Sequence, residues 1–418
     1  MSLRRELGLL HATMMGVGSA ISAGIFVTLG LAVEIAGPAV ILSFLFAGII
    51  NMATMFSYCE LGAAMPRVGG EYVYVKEAFK GFPSFLTGWY EWSSNIFYAT
   101  LMVLGSAYML SYVMPINLFL RVIILVIVFT AINIKGIKEA GTMQTFLTLI
   151  LLAIIFLFAG AGLVHGVRSN AFEPFMPKGP LSIIAAVAFV FETYLGAEAI
   201  AATQAEIKKP EKTIPRAIIL CSLILIIAVC LVVYVAVGVI SPDALSKSLT
   251  PLNLVAEKTM GSVGVLLLTT AGLVAALTSL NSAIIASSRA AYAMSQNGHF
   301  PKALRKVHEH YKTPYVAIVG SSILILFFSL TGTVEFVVYS INFGFLIGFS
   351  LVNLSLIKLR RSKPHLNRPF KTPLYPLMPI IGIISSIVLL AFFDIKPLVF
   401  GIAWGLLGSV LYFLKQKT

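Results

Sequence analysis

Two carboxylates stand in a stretch that should lie at membrane depth. The segment Phe191-Glu192-Thr193-Tyr194-Leu195-Gly196-Ala197-Glu198 falls inside an apolar run near Leu181–Ala205. A carboxylate there is costly unless paired, protonated or wetted, so Glu192 and Glu198 are candidates for binding or proton transfer. Interhelical structural pairing is the competing reading for each. An unbroken helix would aim two residues six apart at different faces, and a break at Gly196 would change that. A second signal is Gly16-Val17-Gly18-Ser19-Ala20-Ile21-Ser22-Ala23-Gly24-Ile25-Phe26, with three glycines and two serines. Small residues let membrane helices pack closely. They also allow a helix to break where its freed N–H groups face a polar cavity. Both readings fit this segment.

The elements that would carry these residues follow from composition. Of 418 residues, 58% are hydrophobic and 11% charged, against about 25% charged in an average soluble domain. Long apolar runs almost free of charge read as membrane spans, which excludes a soluble enzyme, a coiled-coil scaffold and a disordered tail protein. The net charge of +13 sits in short loops rather than along one groove, so no nucleic-acid partner is expected. Cys59, Cys221 and Cys230 have no ligand-like spacing and the six histidines are scattered. No metal or cofactor is implied. Polar residues Ser2–Glu6 lead into the first apolar segment without the pattern of a cleavable leader.

Twelve membrane helices are predicted, giving an all-α integral membrane protein. They lie near Leu9–Val33, Pro38–Ala64, Phe82–Met114, Leu118–Ile134, Thr142–Val164, Leu181–Ala205, Pro215–Ile240, Gly261–Met294, Pro314–Leu330, Val334–Leu356, Leu377–Phe393 and Pro397–Leu414. With both termini cytoplasmic, 24 of the 30 basic residues fall on that side, as the positive-inside rule requires. Spans one to five (residues 1–165) and six to ten (166–357) form two blocks, each opening with a glycine-interrupted helix. An odd number of spans per block inverts the second copy. Paired discontinuous helices in corresponding positions point to a transporter site at the bilayer midplane. A cytoplasmic loop and two peripheral helices make up 358–418.

Several stretches resemble the amino acid–polyamine–organocation transporters. Gly18-Ser19-Ala20-Ile21-Ser22-Ala23-Gly24-Ile25-Phe26-Val27 is similar to the glycine-rich first-helix motif, and Ala36-Gly37-Pro38-Ala39 continues the match. Tyr58-Cys59-Glu60-Leu61-Gly62-Ala63-Ala64-Met65-Pro66-Arg67-Val68-Gly69-Gly70-Glu71-Tyr72-Val73-Tyr74 is the most specific stretch. Asn133–Lys138, Glu206–Pro210, Ile214–Ala217, Ser288–Met294, Gly298–Pro301 and Thr313-Pro314 follow in the family order.

The resemblance implies a LeuT-like fold, an inverted five-plus-five repeat with helices one and six discontinuous, in a multi-pass protein of the cell membrane. It implies transport of an amino acid or related amine by alternating access, not an enzyme. The substrate carboxylate would meet Ser19, Ala20, Ile21, Ser22, Ala23 and Gly24, and its ammonium the carbonyls near Gly16, Val17 and Gly18 and near Phe191, Glu192, Thr193 and Tyr194. Gly196 and Ala197 complete the expected site.

The chain departs from the family pattern at Ser22, where glycine is usual, at Ala197, where phenylalanine is common, and at Glu192, usually apolar or aromatic. A carboxylate facing the site would favour a cationic substrate. A buried lysine that some relatives place in the fifth helix is Leu151 here. A coupling proton would use Glu192 or Glu198, and sodium could use Ser279, Asn281 and Ser282. Proton symport is the leading expectation, with uncoupled amino acid or polyamine exchange and sodium symport as alternatives. A channel or membrane enzyme fits less well. Monomer and homodimer stay open. Glu91 is expected to pair across helices or sit in a vestibule. Trp89, Tyr90 and Trp92 could form an aromatic wall or pack, and Glu60 with Arg67 could make a loop or gating pair.

Overall fold

In the computed structural model, residues 7–21, 23–67, 70–112, 114–135 and 141–415 are described. Val68, Gly69 and Gly136–Lys138 of the motifs quoted above lie outside them. In chain order the helices are α1 (Leu9–Ala20), α2 (Ala23–Ala36), α3 (Val40–Ala64), α4 (Gly70–Ala78), α5 (Gly81–Met109), α6 (Leu118–Lys135), α7 (Gly141–His165) and α8 (Leu181–Val190). There follow α9 (Ala197–Ala202), α10 (Pro210–Val239), α11 (Pro242–Ser246), α12 (Pro251–Gln296), α13 (Tyr315–Thr331), α14 (Val334–Ser362), α15 (Leu377–Leu390) and α16 (Ile395–Lys415).

Among the described residues, helix occupies the greater part of each of the twelve stretches predicted as spans. Among the described residues, eight segments are long and apolar enough to cross a membrane by length and composition, while α13 and α15 are shorter apolar helices. The fold is an all-α, many-span membrane bundle consistent with a LeuT-like fold. Large apolar side chains such as Phe119, Ile127, Leu266, Ile387 and Leu406 are exposed, as a surface solvated by lipid requires.

Local sequence sets the helix ends. Proline at the first positions of α10, α11 and α12 costs no helix hydrogen bond. Ser241 and Thr333 cap α11 and α14 by accepting from the N–H groups of Ala244 and Phe336. At Gly261, φ of 65° turns the chain inside α12, a conformation glycine adopts without a Cβ penalty. The turn separates an amphipathic entry from the long apolar run predicted to begin at that residue.

The helix ends that carry most of the basic residues are fastened together. Glu60, fully buried, accepts from Arg360 Nε at 2.8 Å and Nη2 at 2.5 Å, lies 3.2 Å from Arg368 Nε, and accepts from the Thr372 N–H at 2.7 Å. Its partners are thus Arg360 and Arg368 from the far end of the chain rather than Arg67. Gln204 donates to the Met65 and Arg67 carbonyls and accepts from the Tyr74 hydroxyl at 2.6 Å. The Leu7 N–H donates to Glu206 O at 3.0 Å and the Lys208 N–H to Leu7 O at 2.9 Å, pinning the start of α1 to the segment after α9.

Candidate functional site

Two interruptions face each other inside the bundle. The chain leaves α1 at Ile21, with φ −73° and ψ 86°, after the Ile21 N–H has bonded to Val17 O, and resumes as α2 at Ala23. Ser22, between them, lies outside the described residues. On the facing element, α8 tightens into a 3₁₀ turn over Phe191–Tyr194, Leu195 is extended, and α9 begins after Gly196. A Cβ placed on Gly196 would lie 2.4 Å from Gly16 O and 2.7 Å from Ala20 N. Only a residue without a side chain allows the two backbones so close.

Two side chains hold the second interruption. The Asn342 amide of α14 donates to the carbonyls of Ala188 and Phe189, both at 2.9 Å. Those are carbonyls at the end of α8, where the regular ladder runs out. Glu198 reaches back to accept from the Gly196 N–H at 2.7 Å. At the first interruption, the Tyr98 hydroxyl donates to Ser19 O at 2.5 Å, tying α5 to the last turn of α1. Gly16 and Gly18 are packing residues. Added Cβ atoms would meet Cys221 Sγ at 2.8 Å and Thr148 Oγ1 at 2.2 Å. The glycine-rich segment is thus packed at Gly16 and Gly18 and interrupted after Ile21.

A cavity of about 140 Å³ opens beside the junction. Ser19, Leu195 and Glu198 line it from the interrupted elements, with Tyr58, Glu71, Glu91 and Tyr98 from α3, α4 and α5, and Ser279 and Ser282 from α12. The Tyr58 hydroxyl donates to the Glu71 carboxylate. A smaller apolar space lies against the first interruption, lined by Ala20, Ile21, Ile25, Phe26 and Thr193 among others.

Among the predicted site residues, Ser19, Glu198, Ser279 and Ser282 share the larger cavity. Ala20, Ile21 and Thr193 share the smaller one. Gly18 faces α7. Gly24 accepts from Thr28 Oγ1 at 2.9 Å in the first turns of α2, which Ala23 opens. Glu192 is 1% exposed and lines neither space, with the Thr193 and Thr28 hydroxyls beside its carboxylate. Phe191, Tyr194 and Ala197 are buried in packing. Asn281 accepts from Asn133 Nδ2 at 2.9 Å and does not line the cavity.

Trp89 and Tyr90 bond to the Trp404 and Gly401 carbonyls of α16, each at 3.0 Å, and so take the packing role. Tyr58, Glu71 and Asn342 were not singled out from sequence as site residues, and Glu91 was left between two roles. Glu71 had a visible signal, being the one carboxylate in Gly69-Gly70-Glu71-Tyr72. Glu91 also had one, as a lone charge in an otherwise uncharged run.

The sequence profile of the family described as Amino acid permease matches residues 7–413. The Methylthioribose transporter of Bacillus subtilis (strain 168) is 30% identical over 448 residues, covering 100% of this chain and 94% of the relative. The Branched-chain amino acid permease BcaP of the same organism is 28% identical over 443 residues, with the same coverage of both chains. Its Serine/threonine exchanger SteT is 27% identical over 439 residues, covering 99% of this chain and 98% of the relative.

Proposed function

The chain belongs to the amino acid permease family, and from that premise we propose that it carries amino acids across the cell membrane by alternating access, driven by protons. It is a multi-pass membrane protein and a secondary transporter of small solutes. The observation that carries the finer reading is the apposition of the two interruptions, Gly196 against Gly16 and Ala20, beside a cavity that Ser19, Glu198 and Ser279 line. An amino acid presents a carboxylate and an ammonium on one carbon. The first turn of α2 offers N–H groups and a positive helix end, and the end of α1 with the turn Phe191–Tyr194 offers carbonyls. Discontinuous helices supply both complements without spending a charged side chain.

The reading extends to the architecture. Residues 1–165 and 166–357 are two inverted five-helix units, 358–418 adds a loop and two helices, and both termini face the cytoplasm. In support of proton coupling, Glu198 lines the cavity and also bonds the backbone of the second interruption. A change in its proton occupancy is thereby linked to the local backbone. Asn281, the amide expected of a sodium site, is engaged by Asn133.

Uptake of radiolabelled amino acids into proteoliposomes tests this. An inward proton gradient should drive saturable accumulation, and a sodium gradient alone should not. Sodium-driven uptake, or flux only against preloaded amino acid, would overturn the coupling. Non-saturable flux would indicate a channel. Because one relative is named for a thiosugar, methylthioribose belongs in the same assay, and its uptake without any amino acid uptake would overturn the substrate class.

A further inference from the structure

Beyond the interruptions, the larger cavity is acidic. Glu71 of α4, Glu91 of α5 and Glu198 of α9 line it, and among the described residues no lysine, arginine or histidine does. The protein supplies a donor to two of them, the Tyr58 hydroxyl to Glu71 and the Gly196 N–H to Glu198. Among the described residues no hydrogen bond or ion pair reaches the Glu91 carboxylate, whose backbone carbonyl accepts from Asn95 Nδ2. Ser279 supplies an independent observation. It is 2% exposed, it lines the same cavity, and its hydroxyl has no partner among the described residues. Buried polar atoms are rarely left so.

Distance along α5 suggests the ligand's shape. Tyr98 touches the last turn of α1 through Ser19 O. Glu91 stands seven residues earlier on the same helix face, which is about 10 Å along the axis at about 1.5 Å per residue. A four-carbon side chain ending in an ammonium reaches about 6 Å from its α-carbon, at about 1.5 Å per bond. A charge-assisted hydrogen bond adds about 2.8 Å. A solute with its α-carbon beside Ser19 therefore has a reach comparable to that offset, within the one cavity that Ser19, Tyr98 and Glu91 line.

We infer that Glu91, backed by Glu71, is the specificity-determining carboxylate for a dibasic amino acid, one carrying a second cationic group at the end of a flexible side chain. The inference rests on the amino acid reading above and assigns the side-chain selectivity to Glu91 rather than Glu192. Three carboxylates around one small space repel one another, and a cation there relieves the repulsion.

The test compares lysine with norleucine, which lacks the terminal ammonium, as competitors in proteoliposome uptake. On the native protein lysine should half-saturate at a concentration at least about 10-fold lower, equivalent to about 1.4 kcal/mol. Glu91→Gln should collapse that ratio, and Glu91→Asp should keep the preference for lysine. Pentane-1,5-diamine, which lacks the carboxylate, should compete more weakly than lysine. Equal or better competition by norleucine on the native protein overturns the inference without needing any variant, as does an unchanged ratio in a folded Glu91→Gln protein. If norleucine is carried and lysine excluded, only the role of Glu91 falls. If neither amino acid is carried or competes, the amino acid reading falls with it.

Discussion

Gly196 and Gly16 meet backbone to backbone. A Cβ on Gly196 would come within 2.4 Å of the Gly16 carbonyl oxygen and 2.6 Å of the Ala20 Cβ. Neither neighbour is the far end of a flexible side chain, so neither can swing away. The contact sets how closely the two interrupted elements approach, and with it the cavity beside Ser19, Leu195 and Glu198.

Gly196→Ala should therefore push α9 away from α1. Overpacking of this kind costs about 1–3 kcal/mol, and the displaced interruption should lower initial uptake about 10-fold, the rate equivalent of about 1.4 kcal/mol. Thermal unfolding and proteoliposome flux read the two effects separately. Native melting and native flux together would mean that the contact does not set the site.

Asn342 is a positioning residue, donating to two carbonyls at the end of α8. Asn342→Leu leaves both acceptors buried without donors, at about 1–3 kcal/mol for each such group. A lowered melting temperature is expected, with a larger loss of uptake than an equally destabilising change far from the site produces. Asn342→Asp, which cannot donate there, should resemble the leucine variant.

Glu60 joins α3 to the end of α14 and the following loop through two guanidinium groups. Removing one partner of a buried ion pair costs about 3–5 kcal/mol, because the remaining charge stays uncompensated. Glu60→Gln should destabilise by that order. Pairing it with Arg368→Met should cost less than the two single changes added, which a double-mutant cycle in thermal or chemical unfolding measures. Strict additivity would show that the groups do not act together.

The surface pair Glu77–Lys363 behaves differently. The hydrogen bond from Lys363 lowers the Glu77 pKa from its ordinary value. A depressed folded-state value gives stability that is present above the unfolded carboxylate's range and lost as pH falls through the folded one. The pair is partly exposed, so the contribution is at most about 1 kcal/mol and is screened by salt. Lys363→Met should change melting slightly at pH 7, and the change should shrink as pH falls below the ordinary carboxylate range. A large change at pH 7 would contradict this.

Apolar patterning made the helices legible because lipid solvation demands long uncharged runs whatever packs against them. Glycine clustering located both interruptions. At the first, however, Gly16 and Gly18 serve packing and the chain leaves the helix at Ile21. What one chain cannot display is convergence from distant elements. Glu71, Glu91 and Glu198 come from three helices, and Glu60 finds its arginines 300 residues and more away. Asn342 has no neighbour in sequence that marks it as a donor to α8. Glu192 was conspicuous for its position in an apolar run, yet it sits in packing rather than in either space.

The most direct measurement is an experimental structure with a bound amino acid, compared with the ligand-free protein. The account predicts the α-carboxylate within hydrogen-bonding distance of backbone N–H groups at the start of α2 and the ammonium at carbonyls of residues 18–21 and 191–194. An amino acid bound elsewhere, with continuous helix through residues 21–23 and 195–196, would contradict it.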